Sequence, residues 1–226
     1  MTTNFPSSID AFTNPTSADT LDNPPHDQQH ADINDAMEAV QAKVGVDGSA
    51  VTSSLDYKVA QQGLTLVKTQ TVGTAVSSVT VTNAFSSTFE NYRVSFTGFN
   101  CSNSSGQTLQ LRLGNGGTIY AAGYYGGGQS VLYSGTVNTW SVNNLSDVSC
   151  CYLTTTPGRT STVFDIHTPY DVGLATPLMG FGHGFLSGSW WSYEYASTAR
   201  ITDLYFFPSV GTMSGGTIRV YGYNNG

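Results

Sequence analysis

The chain has 226 residues, of which 10% are charged, and its formal net charge at pH 7 is −7. This is far below the roughly 25% of charged residues usual in soluble domains, and glycine, tyrosine and neutral polar residues take their place. The negative charge argues against nucleic acid as a partner, and no apolar run reaches membrane-spanning length.

The negative charge is confined to the first part of the chain. Residues 1–63 contain nine acidic and two basic side chains, whereas residues 64–226 contain six of each. A composition change this sharp predicts a domain boundary near Gly63. Three segments are therefore expected, in chain order: an extended arm, 1–29; a short helical segment, 30–63; and a β-domain, 64–226.

The arm is expected to lack regular structure of its own. Its prolines interrupt it repeatedly, and its apolar residues are too few to offset the entropy lost on ordering. We therefore expect the arm to become ordered against a partner. The N-terminus has no secretion signal, which predicts a protein made in a reducing cytosol. Reduced, partly buried thiols are expected at the three cysteines: Cys101, Cys150 and Cys151.

The run HADINDAMEAVQAKVGVDGS, residues 30–49, predicts an amphipathic helix that Asp32 could cap and Gly45 could end. Its apolar residues have the spacing of a heptad seam: Ile33, Met37, Val40 and Val44. An isolated helix this short is marginal in water, so the seam must pack on something. β-Branched residues at the d positions favour three or more helices, hence a parallel homotrimer. Packing on the same chain or on another protein is the alternative.

After one more short helical turn over 53–59, the pattern changes to the alternation typical of strands. The alternation is clear in four segments: NYRVSFTGF, TLQLRLG, ITDLYFF and TIRVYGY. About ten short strands separated by Gly, Asn and Pro turns predict a mainly β fold, an antiparallel β-sandwich of jelly-roll type. Strands and helices do not alternate, which argues against a parallel α/β sheet.

Residues 4–59 resemble the start of many structural proteins of tailed bacteriophages, most specifically from His30 to Ser49. The end of the chain, ITDLYFFPSVGTMSGGTIRVYGYNNG, looks like the last two strands of phage fibre and receptor-binding tips. This resemblance implies a virion fibre, attached to other virion proteins through residues 1–60, whose sandwich projects toward a host-surface glycan or protein. Residues 84–195 match nothing in that family, so it implies no particular ligand.

Two other functions are compatible with these features. One is a capsid-decorating, collar or head-fibre protein without a receptor role. The other is a polysaccharide-degrading enzyme, which would require two carboxylates facing one another. The six acidic residues after position 63 are scattered singly, so we expect no enzyme and no cofactor.

Aromatic residues in GSWWSYEYAS and YAAGYYGGGQS are the candidate ligand surface. On a strand, Trp191 and Tyr193 share one face and Trp190 and Glu194 the other. One face could fill the core or a subunit interface, and the other could stack on sugar rings. The tyrosines of the second motif are expected in a loop. The candidate surface comprises Tyr124, Tyr125, Trp190, Trp191 and Tyr193.

Three histidine motifs are weaker candidates. His183 in GFGHGF could meet its copies at a trimer axis and hold a metal, and no other metal site is expected. The motif HDQQH, with His26 and His30, is interpreted as a polar lead-in to the helix, because Pro24-Pro25 argue against a helix through His26. In FDIHTPYD, Asp165 and His167 share a strand face and are expected to form a surface pair.

Overall fold

The computed structural model describes residues 16, 18, 20, 25–103, 107–156, 160–184 and 187–224. Most of the predicted arm therefore lies outside the described residues. The chain divides into two compact units between Gln62 and Gly63. The first unit contains helix α1 (His26–Val44) and helix α2 (Leu55–Ala60), and α2 coincides with the predicted short helical turn.

Helix α1 begins at His26, so the predicted cap at Asp32 and the assignment of residues 26–29 to the arm are both wrong. Pro25 precedes the first helical residue, at a position where a missing N–H costs no helical hydrogen bond. Its carbonyl accepts a hydrogen bond from the Gln29 N–H at 3.1 Å. The predicted end is confirmed, because the helix stops at Val44 before Gly45, whose φ is 87°.

The four seam residues of α1 are exposed in the single chain. Their exposed fractions are 54% for Ile33, 55% for Met37, 41% for Val40 and 48% for Val44. None of the α1 residues, all of which are described, is buried. Apolar side chains at heptad spacing on an exposed helix favour a partner helix. Within the described ranges, neither helix has both the length and the apolar character needed to cross a membrane.

The second unit is built of antiparallel strands. In its described part they are β1 (Leu64–Thr71), β2 (Val79–Val81), β3 (Asn91–Cys101), β4 (Thr108–Asn115), β5 (Thr118–Ile119), β6 (Tyr124–Leu132), β7 (Val137–Leu145), β8 (Val148–Tyr152), β9 (Thr160–His167), β10 (Thr176–Gly184), β11 (Ser187–Tyr195), β12 (Asp203–Pro208), β13 (Met213–Ser214) and β14 (Thr217–Tyr223). The predicted mainly β class with antiparallel sheets is confirmed.

The strands form a large and a small sheet. The large sheet has the order β1-β14-β3-β9-β10-β11-β6-β7, with β13 also paired to β3. The small sheet has the order β2-β12-β4-β5, with β8 also paired to β4. Phe206 of β12 joins the two sheets, since its ring centroid lies 5.4 Å from that of Phe96 on β3 and 6.3 Å from that of Phe164 on β9. The core thus lies between the sheets, the arrangement of a β-sandwich.

The alternation seen in the sequence correctly identifies inward-facing residues. One face of each of the four alternating segments is buried and apolar: Tyr92, Val94, Phe96, Leu109, Leu111, Leu113, Leu204, Phe206, Ile218 and Val220. These side chains point into the space between the two sheets, where burial of apolar surface is the main contribution to the stability of the fold.

Glycines on β10 bring the small sheet unusually close to the large one. A Cβ on Gly182 would overlap the carbonyl oxygen of Cys150 and the Cβ of Cys151, and a Cβ on Gly184 would overlap the carbonyl oxygen of Tyr152. Strand β8 therefore lies directly against the backbone of β10. This contact sets which face of the large sheet is internal and which face is free.

Candidate ligand surface

Strand β11 separates the predicted aromatic residues onto two faces. Trp191 and Tyr193 are only 1% and 3% exposed, so their assignment to a ligand surface is wrong. The Trp191 Nε1–H donates to the Cys150 carbonyl at 2.8 Å, and Tyr193 Oη accepts from the Trp140 Nε1–H at 2.8 Å. Both side chains face the small sheet, and their polar atoms find partners inside the sandwich. Trp190, on the opposite face, is 51% exposed.

Tyr124 is also a core residue rather than a ligand residue. It lies on β6, is fully buried, and its hydroxyl accepts from the Leu113 N–H at 2.7 Å while donating to the Tyr120 carbonyl at 3.2 Å. Burial raises the pKa of Tyr124 above its ordinary value. Tyr125 points the other way, remains 38% exposed, and stands opposite Glu194 of β11.

The predicted loop after Tyr125 is a strand because large side chains on its neighbours cover its glycines. Gly128 pairs with Trp191 on one side and with Trp140 of β7 on the other. A Cβ on Gly128 would come within 2.5 Å of the Trp140 ring and 2.9 Å of the Trp191 Cβ. The absence of a side chain therefore makes room for two tryptophans on the inner face.

The outer face of the large sheet presents an apolar patch, which we call the aromatic platform. Three of its residues are in register on adjacent strands, Val163 on β9, Phe181 on β10 and Trp190 on β11, and Met179 of β10 lies beside them. Phe181 is 67% exposed and Met179 50%. Contiguous exposed apolar residues of this kind mark interaction sites on soluble proteins.

The indole of Trp190 is held in place. Its Nε1–H donates to Oε1 of Gln129, the residue directly opposite on β6, at 3.2 Å. The hydrogen bond orients the ring across β6 while about half of the side chain stays exposed. A ring that is already oriented loses less side-chain entropy when it binds a ligand.

Sequence reasoning missed Phe181, which has the most exposed side chain of the platform. The motif GFGHGF contains the pattern that could have identified Phe181, although only His183 of this motif is a predicted ligand residue. Phe181 lies two residues before His183, so alternation places both on the same face of β10. His183 stands opposite Ser161 and Gly188 on that outer face. A shared metal at a trimer axis would need other copies of the chain and stays a prediction.

The carboxylate of Asp165, which is in register with Met179 of the platform, is already hydrogen-bonded to other side chains. Asp165 is opposite Met179, and it accepts hydrogen bonds from Arg93 Nε and Nη2, both at 2.8 Å, and from the Tyr223 hydroxyl at 2.6 Å. Burial raises the pKa of Asp165, but the hydrogen bonds from Arg93 and Tyr223 outweigh it and lower that pKa overall. The pKa of Tyr223 is raised to about 12 by burial and by the same carboxylate.

The other motifs are separate from the platform. His167 contacts the Asn91 Oδ1 through Nδ1 at 3.0 Å, and His26 and His30 meet on α1 with their Nε2 atoms 3.1 Å apart. In the part of the chain that the structure describes, no three histidine, cysteine or acidic side chains gather as a metal site. All three cysteines are free and buried, and burial raises the thiol pKa of the adjacent pair on β8.

A cavity of about 220 Å³ opens between β8 of the small sheet and the strands β7 and β11 of the large sheet. The Trp140 ring and the Cys151 side chain contribute to its mostly apolar lining. The described residues that line it include no acidic side chain, so it does not supply the facing carboxylates of glycoside cleavage.

Comparison of the chain with models of known protein families finds no match, and a search of curated proteins finds no relative. The function is therefore inferred from the residues and their geometry.

Proposed function

We propose that this chain is a structural protein of a bacteriophage virion, a short homotrimeric fibre that binds a host-surface glycan. In this proposal residues 1–60 attach to other virion proteins, and the sandwich carries the glycan site on its outer face. The observation that carries it is the aromatic platform, with Phe181 and Trp190 exposed in register on neighbouring strands of the outer face. We propose no catalytic role.

The platform suits a sugar better than it suits an extended protein interface. A pyranose ring has one apolar face of C–H groups, which packs on an aromatic ring, and hydroxyls at its edge, which need polar neighbours. Trp190 and Phe181 supply the rings, while Gln129 and Ser192 lie next to them on the same face. The combination provides both stacking and hydrogen bonding at one site.

Adsorption to host cells tests this function. The double variant Phe181→Ala with Trp190→Ala should bind host cells at least about 30-fold more weakly, since the loss of even one interface aromatic of this kind costs on the order of 2 kcal/mol. The measurement is binding of the fluorescently labelled protein to cells across a concentration series. The melting temperature should fall by only a few degrees, because neither side chain belongs to the buried core.

Tyr205→Ala is the matched control. Tyr205 lies on β12 between the buried Leu204 and Phe206, so it faces outward from the opposite, small sheet, and its loss should leave cell binding unchanged. Undiminished binding by the double variant would refute the glycan site. A wild-type protein that never binds host cells, yet decorates virions, would favour the capsid or collar role instead.

The exposed seam of α1 supports the homotrimer within this proposal. The native mass should be three times the chain mass of 24.0 kDa. Val40→Asp places a charge in the seam and should shift the protein to a monomer, whereas Ala42→Asp, at an outward heptad position, should leave the trimer intact. Sedimentation equilibrium measures both. A monomeric wild type, or equal masses for the two variants, would contradict the trimer.

We also propose that the sandwich is a variant of the jelly-roll class. In sequence order, the chain crosses from the large sheet to the small sheet at β2, β4, β8 and β12. After each crossing a later strand pairs in the large sheet again. Repeated crossing between two antiparallel sheets is characteristic of that class.

A further inference from the structure

We propose that the aromatic platform binds a short oligosaccharide without acidic groups, aligned along β11, and that Glu194 determines this preference. This inference rests on the proposed function and adds the class of sugar. It follows from how charge is distributed over the outer face of the large sheet.

The half of the large sheet that holds Phe181 and Trp190 has no lysine or arginine. Strands β6, β7, β10 and β11 contain a single acidic residue, Glu194, and one histidine, His183. Glu194 is exposed and, among the residues that the structure describes, forms no salt bridge. A carboxylate or phosphate on the ligand would therefore meet a like charge and no fixed compensating cation.

The arginines of the neighbouring strands β3 and β14 do not change this balance. Arg93 is held by Asp165 through two hydrogen bonds of 2.8 Å, so its charge is already compensated. Arg219 of β14 is in register with Phe181 of β10, but three strands away. Ser95 of β3 and Val163 of β9 are the register partners between them. Three strand spacings are roughly 14 Å, beyond the screening length of about 8 Å in physiological salt.

The spacing along β11 indicates a ligand longer than one sugar. Residues 190, 192 and 194 all face outward, and Trp190 and Glu194 are separated by about 13 Å at the rise of a strand. Tyr125 lies opposite Glu194 and supplies a second exposed ring at that end. A chain of sugars could thus stack on Trp190 at one end and reach Tyr125 and Glu194 at the other.

A glycan array with neutral, amino-bearing and acidic oligosaccharides tests the inference on the full-length protein. The wild type should bind neutral or amino-bearing members, with acidic members of similar backbone bound more weakly. Glu194→Gln should raise the affinity for acidic members relative to neutral ones by about fivefold, since removing a nearby charge in water changes the interaction by about 1 kcal/mol. Asp171→Asn, which removes the same charge from the exposed loop between β9 and β10, should leave the ratio unchanged.

The two proposals fail in different ways. Acidic members bound as tightly as neutral ones by the wild type, or an unchanged ratio in Glu194→Gln, would overturn the preference while leaving the glycan site in place. If no saccharide of any class binds, the proposed glycan-binding function itself is refuted.

Discussion

Replacing Gly182 with alanine should lower the free energy of unfolding of the sandwich by about 3 kcal/mol or more. The added Cβ would overlap the carbonyl oxygen of Cys150 and the Cβ of Cys151 on β8. Neither atom can move aside by a side-chain rotation, because one belongs to the backbone and the other is attached directly to it. Accommodation requires β8 to separate from β10, which opens the core between the two sheets.

Gly188→Ala is the matched control. Gly188 lies on β11 and pairs with His183, the residue that follows Gly182 on β10. A Cβ added to Gly188 would have no atom within 4 Å. Its replacement should change the free energy of unfolding by less than about 0.5 kcal/mol. Urea denaturation followed by circular dichroism measures both variants. Equal stabilities would mean that β8 does not lie against the β10 backbone.

Much of the fold could be predicted because alternation records which strand face is apolar. Leu109, Leu111 and Leu113 are fully buried, as their pattern predicts, and the antiparallel class follows from short strands joined by turns. The order of strands could not be predicted this way. Strand β6 pairs with β11 across a long stretch of sequence, and such pairing depends on tertiary packing rather than on any local pattern.

The candidate site shows the same limit. Alternation places Trp190 and Trp191 on opposite faces but does not say which face is internal. That choice depends on β8, which covers the side of β10 on which Gly182 and Gly184 leave room. The sequence predicts a loop at Tyr124 because glycine usually weakens a strand, whereas in the structure two tryptophans occupy the space beside Gly128.

Truncation to alanine should lower the stability of the sandwich much more at Trp191 than at Trp190. Trp191→Ala should cost about 3–5 kcal/mol of stability, because it removes a fully packed ring from the core. The indole lies 5.5 Å from the Phe164 ring and 5.8 Å from the Tyr193 ring, measured between centroids, and its N–H donates to the Cys150 carbonyl. Trp190→Ala should cost less, about 1 kcal/mol, because that side chain is half exposed and loses only its cross-strand contacts and its hydrogen bond to Gln129.

Urea denaturation followed by far-ultraviolet circular dichroism compares the two variants without depending on the fluorophore that each one loses. Trp191→Phe separates packing from hydrogen bonding, since it keeps a ring and removes the donor to Cys150; it should cost less than Trp191→Ala. A loss of stability in Trp190→Ala as large as that in Trp191→Ala would mean that the indole is buried between subunits, because in the single chain about half of the Trp190 side chain is exposed. Such a result would exclude the platform as a glycan site, whereas a stable Trp190→Ala protein with weakened cell binding would support it.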